Sequence, residues 1–140
     1  MSEQNQGLIR LLTEEVMNKG NYDVVDELVA ADYAGHSSMA ENRGTEGYKQ
    51  FFVTLRDAFP DIHCTIEDLF SEGEKVVSRW SARGTHTGML AGLAPTGRDG
   101  VVTGISVFRV SDGKVAECWT NFDHLGLLRL IDAIPTAPTA

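Results

Sequence analysis

Gly73-Glu74-Lys75-Val76-Val77-Ser78-Arg79-Trp80-Ser81-Ala82-Arg83-Gly84-Thr85-His86-Thr87-Gly88 opens the stretch whose reading decides the fold. Asp112-Gly113-Lys114-Val115-Ala116-Glu117-Cys118-Trp119-Thr120-Asn121-Phe122-Asp123 closes it. Apolar and polar residues alternate over both segments, the period of a strand with two unlike faces. The same pattern predicts four strands over 62–70, 75–87, 99–110 and 114–122. Glu72-Gly73-Glu74 and Asp112-Gly113 supply hairpin turns, the second with the Asp-Gly signature of a type I′ turn. Between the second and third strands, 88–98 is rich in Gly and Pro and reads as a longer loop. The alternation runs into a single acid, Asp123, set among aromatic and aliphatic residues. A carboxylate in apolar surroundings is held toward its neutral form by desolvation, which suits proton transfer.

Upstream, the spacing is helical. Leu8, Ile9, Leu12, Val16 and Met17 form one stripe over 8–19, with Gly20 as the stop. Asn21 is the expected cap of a second helix carrying Val24, Val25, Leu28 and Val29 inward. An extended piece over 32–37 and a loop over 38–44 lead to a third helix from Thr45, which buries Tyr48, Phe51, Phe52, Leu55 and Phe59 before Pro60 ends it. A closing helix or turn is expected over 125–134, and a mobile tail over 135–140. Helices followed by an antiparallel meander define an α+β domain. Long strands twist and curl around their helical cover, and the space between is the expected place for a cone-shaped ligand pocket.

The 140 residues support a single domain, with its core at about 8–135. A net charge of −8, from 20 acidic against 12 basic residues, disfavours nucleic acid and anionic membrane surfaces as partners. Cys64 and Cys118 lie far apart without metal-ligand spacing and read as reduced thiols. The polar start of the chain lacks the basic-then-apolar pattern of a signal peptide, and no window approaches the ~20 apolar residues of a membrane span. A cytoplasmic protein is expected.

Arg43-Gly44-Thr45-Glu46-Gly47, Ala58-Phe59-Pro60-Asp61, Gly73-Glu74-Lys75-Val76-Val77, Gly84-Thr85-His86-Thr87-Gly88, Pro95-Thr96-Gly97, Phe108-Arg109, Asp112-Gly113-Lys114-Val115 and Asp123-His124-Leu125-Gly126-Leu127-Leu128 stand in family order over about 8–135. In this ordered set the chain resembles the SnoaL-like polyketide cyclases, within the group sharing the nuclear transport factor 2 fold. The resemblance implies a cone-shaped α+β barrel: three N-terminal helices on a curled, mainly antiparallel sheet. It also implies a homodimer or homotetramer, a hydrophobic small-molecule substrate, and neither cofactor nor metal. One departure is Arg129-Leu130-Ile131-Asp132, where the family often carries Gln-Gln-Leu-Gly; that segment bears on pocket lining or assembly.

Asp123 matches the acid/base residue of the family's characterised cyclases, and its alternative role is the cap of the closing helix. His36 follows an extended segment and is placed at the pocket mouth or wall, able to meet a substrate carbonyl or pair with Asp123. His86 ends a long strand between glycines and could hydrogen-bond in the cavity. Both could equally be structural. A 2-His-1-carboxylate metal site is conceivable, but no metal-ligand spacing supports it. Arg79 is expected either to steady an enolate from the pocket wall or to form a surface ion pair with Glu67 or Glu117. If 115–123 stays extended, Glu117, Trp119, Asn121 and Asp123 share one face, and Trp119 becomes a flat wall for an aromatic guest. Phe52 on the third helix and Met89 in the long loop complete the expected substrate contacts, with Met39 and Leu93 as further loop covers. The leading function is aldol-type ring closure by acid/base catalysis. The alternatives are a binding module, a scaffold with a vestigial pocket, or an epoxide hydrolase, for which no second acid facing Asp123 is evident.

Overall fold

The computed structural model describes residues 2–90 and 92–131, so the expected tail over 135–140 and the end of the closing segment lie outside the described residues. The first helix, α1 (Ser2–Leu12), continues as a wider π turn over Thr13–Asn18. In that turn the Lys19 N–H reaches back to the Glu14 carbonyl, while the Thr13 hydroxyl donates to the Ile9 carbonyl. A hydroxyl bonded to the preceding turn competes with the regular ladder and bends a helix. The wide turn keeps Val16 buried and aims Asn18 at the edge of the sheet. There the Asn18 amide oxygen accepts the Cys64 N–H at 2.7 Å, and its NH2 group donates to the Cys64 carbonyl at 3.1 Å.

Asn21 caps the next element as expected, its side chain accepting the Asp23 N–H. That element is a 3-10 turn, Tyr22–Val24, running into one α-helical turn, α2 (Val25–Leu28). The extended piece is longer than its sequence pattern suggested: β1 covers Val29–Ser37, and a short β2 (Glu41–Arg43) occupies part of the expected loop. The third helix, α3 (Gly44–Ala58), ends before Phe59-Pro60. Four long strands follow, β3 (His63–Glu72), β4 (Lys75–Thr85), β5 (Asp99–Ser111) and β6 (Lys114–Phe122), and then α4 (His124–Leu130). Asp112 and Gly113 both have positive φ, 53° and 75°, the geometry that a type I′ turn requires.

The strands form one sheet in the order β2-β1-β6-β5-β4-β3. All neighbours are antiparallel except β1 and β6, which run parallel. The parallel pair is possible because the helices and the whole meander separate the two strands in sequence. Leu8, Ile9, Leu12 and Val16 pack on Val76, Val110 and Val115 in a core that also holds Tyr33 and Tyr48. Each fully buried aliphatic side chain contributes roughly 1.5–3 kcal/mol. The sheet curls without closing, and α3 and α4 cover its open end.

Candidate functional site

Strand alternation sorts β4, β5 and β6 into two faces. Val76, Ser78, Trp80 and Ala82, with Ser106 and Phe108 and with Cys118, Thr120 and Phe122, face the helices. Lys75, Val77, Arg79, Ile105, Glu117, Trp119 and Asn121 occupy the outer face. A cavity of about 170 Å³ lies on the helix side. Leu12 and Met17 from the first helix, Phe51, Phe52 and Leu55 from α3, and Met39 from the β1–β2 loop close it against the sheet. Phe122, Leu127 and Leu130 close its far end. A more open groove outside shares Met39, Asn42, Phe51 and Leu55 with the cavity, so those four side chains form the partition between them.

The walls are mostly apolar, and their polar groups lie mainly along the sheet. Ser78 and Ser106 are 2% and 5% exposed. The Trp80 indole N–H donates to Ser106 Oγ at 3.0 Å, and Ser106 Oγ and Thr120 Oγ1 are 2.8 Å apart. Cys118 Sγ lies 3.5 Å from Thr120 Oγ1. Burial pushes the Cys118 thiol up to about 11 and the Tyr33 phenol up as well, so both stay protonated at neutral pH. The indole reaches this line because β5 carries Gly104 opposite Trp80; a Cβ at Gly104 would collide with the Trp80 ring. Sequence reasoning missed these hydroxyls because Ser and Thr in a strand read as surface residues. The signal was present in Ser78 and Trp80 sharing one strand face with Val76 and Ala82.

The residues singled out from the sequence are dispersed. Phe52 lines the cavity, as expected. His36 belongs to its lining, but the His36 ring stacks on Trp119 with centroids 5.9 Å apart and bonds Glu117 at 2.8 Å, not Asp123. The hydrogen bonds to Glu117 and Glu41 raise the His36 pKa, and the same bond to His36 lowers that of Glu117. His86 is fully buried outside the cavity lining, packed on Phe59, with Nδ1 accepting the Thr96 N–H. Its Nε2 has no hydrogen-bond partner among the described residues.

Arg79, Trp119 and Asn121, expected as a pocket wall, lie on the outer face. Arg79 pairs with Asp68 at 2.6 Å, not with Glu67 or Glu117, and Trp119 stands beneath the Lys75 ammonium at 5.4 Å. The pleat fixes this: residues 117, 119 and 121 share a face, and the opposite face meets the helices. Met89 is 63% exposed in the long loop and is not among the lining residues.

Asp123 directly follows the lining residue Phe122. Its exposed carboxylate caps α4, Oδ1 accepting the Gly126 N–H at 2.9 Å. The expected dry surroundings of this acid are therefore not what the fold provides, because capping an orphan N–H draws the side chain toward the helix end. Among the described residues, no three His, Cys, Asp or Glu side chains come together as a metal site. No described helix is long and apolar enough to cross a membrane.

An α+β cone whose curled sheet and helices enclose an apolar chamber is the architecture of small-molecule-binding domains. The comparisons specify which. Residues 7–131 match the family of SnoaL-like polyketide cyclases, and the chain belongs to it. It is 29% identical over 126 residues to the aklanonic acid methyl ester cyclase DnrD of Streptomyces peucetius, covering 87% of this chain and 86% of that protein. A SnoaL-like protein of Jannaschia sp. superposes with a TM-score of 0.87 at 26% identity, covering 96% of this chain and 95% of that one. IdmH of Streptomyces antibioticus does so with a TM-score of 0.80 at 30% identity, covering 92% and 99%.

Proposed function

We propose that the protein is a cofactor-independent cyclase, acting in the cytoplasm, that closes a ring by intramolecular aldol-type condensation on a flat, apolar, polyketide-like molecule. The observation that carries this reading is the apolar cavity with a line of neutral hydroxyls along one wall. Such a wall suits a hydrophobic guest edged with carbonyl and phenol oxygens. The similarity to cyclases named for a polyketide methyl ester supports the same substrate class. A chamber of about 170 Å³ takes little more than one or two rings as it stands. A larger guest displaces the flexible Met39 and Leu55 of the partition.

In the reaction, a carbon between two carbonyls loses its proton to a carboxylate. The resulting enolate attacks a ketone carbon of the same molecule, a C–C bond forms, and the carbonyl π pair moves to oxygen. The carboxylic acid then returns the proton to that oxygen. Holding both carbons in contact removes most of the entropic barrier. Asp123 is the acid that the family resemblance puts forward, and it stands one residue beyond Phe122 of the lining. To serve, its carboxylate releases the Gly126 N–H and turns to the cavity rim.

Asp123→Asn tests the role cleanly, because Asn still caps a helix. The expected result, in an assay with aromatic polyketide methyl esters, is a loss of turnover of about 10²-fold or more with ligand binding and Tm retained. Unchanged turnover overturns the role. The exposed, capped state of Asp123 favours a second reading, a non-catalytic carrier using the same chamber. Binding without product in the unmodified protein decides for the carrier. We further propose a homodimer or homotetramer formed through the outer face, where Phe70, Val101, Ile105 and Trp119 are exposed; size-exclusion chromatography with light scattering tests it.

A further inference from the structure

Trp80, Ser106 and Thr120 form a hydrogen-bonded chain with a fixed direction. An indole N–H only donates, so Ser106 Oγ is an acceptor toward Trp80 and cannot return its own hydrogen there. Ser106 and Thr120 together carry two hydroxyl hydrogens, and their 2.8 Å contact uses one. For the other, whichever hydroxyl carries it, the partner at hand among the described residues is the Cys118 sulfur, 3.5 Å from Thr120 Oγ1 and bonded also to Ser106 and Tyr33, and a thiol is a weak acceptor. Ser106, Thr120 and Cys118 all line the cavity. A hydroxyl hydrogen beside apolar surface, satisfied only by sulfur, gains most from an incoming oxygen.

Resting on the cavity reading above, we infer that the Ser106–Thr120 pair, braced by Trp80, is a hydrogen-bond donor site for a neutral carbonyl oxygen, and so selects aryl ketones and esters over hydrocarbons of the same shape. A donor set against a carbonyl whose oxygen gains charge during ring closure makes an interaction that strengthens toward the transition state. Both members of the pair are neutral hydroxyls, so this contact carries no charge and does not demand a carboxylate on the ligand. Gly104 belongs to the same device, since its missing side chain admits the indole that orients Ser106.

The test uses α-tetralone and tetralin, a fused ring frame with and without a ketone, bound to the full chain. Thr120→Val keeps the shape and removes the hydroxyl. It is expected to weaken α-tetralone by about fivefold relative to its effect on tetralin, the worth of one neutral hydrogen bond. An equal effect on both probes overturns the inference and leaves the cavity reading intact. If neither probe binds the unmodified protein, both fall together. Infrared spectra of the unmodified protein give a check that needs no variant. The ketone stretch of bound α-tetralone is expected below its position in cyclohexane, and an unshifted band overturns the donor assignment.

Discussion

The two faces of one sheet, built from neighbouring residues of the same strands, have opposite characters. Toward the helices stand Val76, Ser78, Trp80, Ser106 and Thr120, apolar or neutral, with Trp80, Ser106 and Thr120 hydrogen-bonded in a chain. On the outer face Arg79 pairs with Asp68, Glu117 with His36 and Arg109, and Trp119 lies beneath Lys75. Charge needs water or a partner at the surface, whereas a binding chamber that must take an apolar guest holds neutral polar groups, most of them already bonded. The charged face looks like chemistry in the sequence. The neutral face is the one that encloses space.

Adjacent positions on β4 offer the strongest way to break this contrast. Val76 is fully buried, so Val76→Asp is expected to cost on the order of 4 kcal/mol or more and to unfold the domain. Val77→Asp, one residue along and facing outward, is expected to cost about 1 kcal/mol or less by urea denaturation. Similar losses in the two variants would mean that the faces are not distinct. Next in size, Ile9→Ala removes a side chain 1% exposed beneath the sheet and is expected to cost about 2–5 kcal/mol, read from the same transitions.

A smaller effect sharpens the contrast within the cavity wall. Gly104→Ala places a Cβ against the Trp80 ring and is expected to cost about 1–3 kcal/mol while reducing the α-tetralone preference. On the outer face, Arg79→Ala is expected to shift stability by no more than about 1 kcal/mol, because both partners are half exposed.

The smallest effect is a pH dependence. His36 has its pKa raised by Glu117 and Glu41, so its contribution is full below its ordinary value of 6.5 and fades as pH rises through the higher folded value. Glu117 has its pKa lowered by the same contact, so its contribution is present above 4.5 and fades as pH falls through the lower folded value. The difference in Tm between the unmodified protein and His36→Gln should therefore be largest between those limits. It should shrink toward pH 9 and toward pH 3. A flat difference would show that the pair is not coupled to folding.

Much of the architecture was legible because it depends on local rules. The period-two alternation of 75–85 and 114–122, the Asp-Gly turn, the stripe ending at Met17, and Pro60 after the third helix each act through near neighbours in sequence. The long β1 was read short, since its pairing with β6 comes from residues more than 80 positions away. Asp123 shows the limit for the site: Asp three residues before Gly126 reads equally as cap or as proton carrier, and the coordinates show the cap. His36 lies in the cavity lining, as its place after an extended segment suggests, while its ring nitrogens face Glu117 and Glu41.

By itself the sequence determined most of the elements and their order, the family, and that the long strands of the meander have two unlike faces. Which face would enclose the cavity was decided by the tertiary structure alone. Both faces offer a tryptophan, Trp80 on one and Trp119 on the other, so composition leaves the choice open. The outcome depends on where α1 and α3 land, and only that packing turns Ser106 and Thr120 from ordinary strand residues into a part-buried hydrogen-bonding pair lining the cavity.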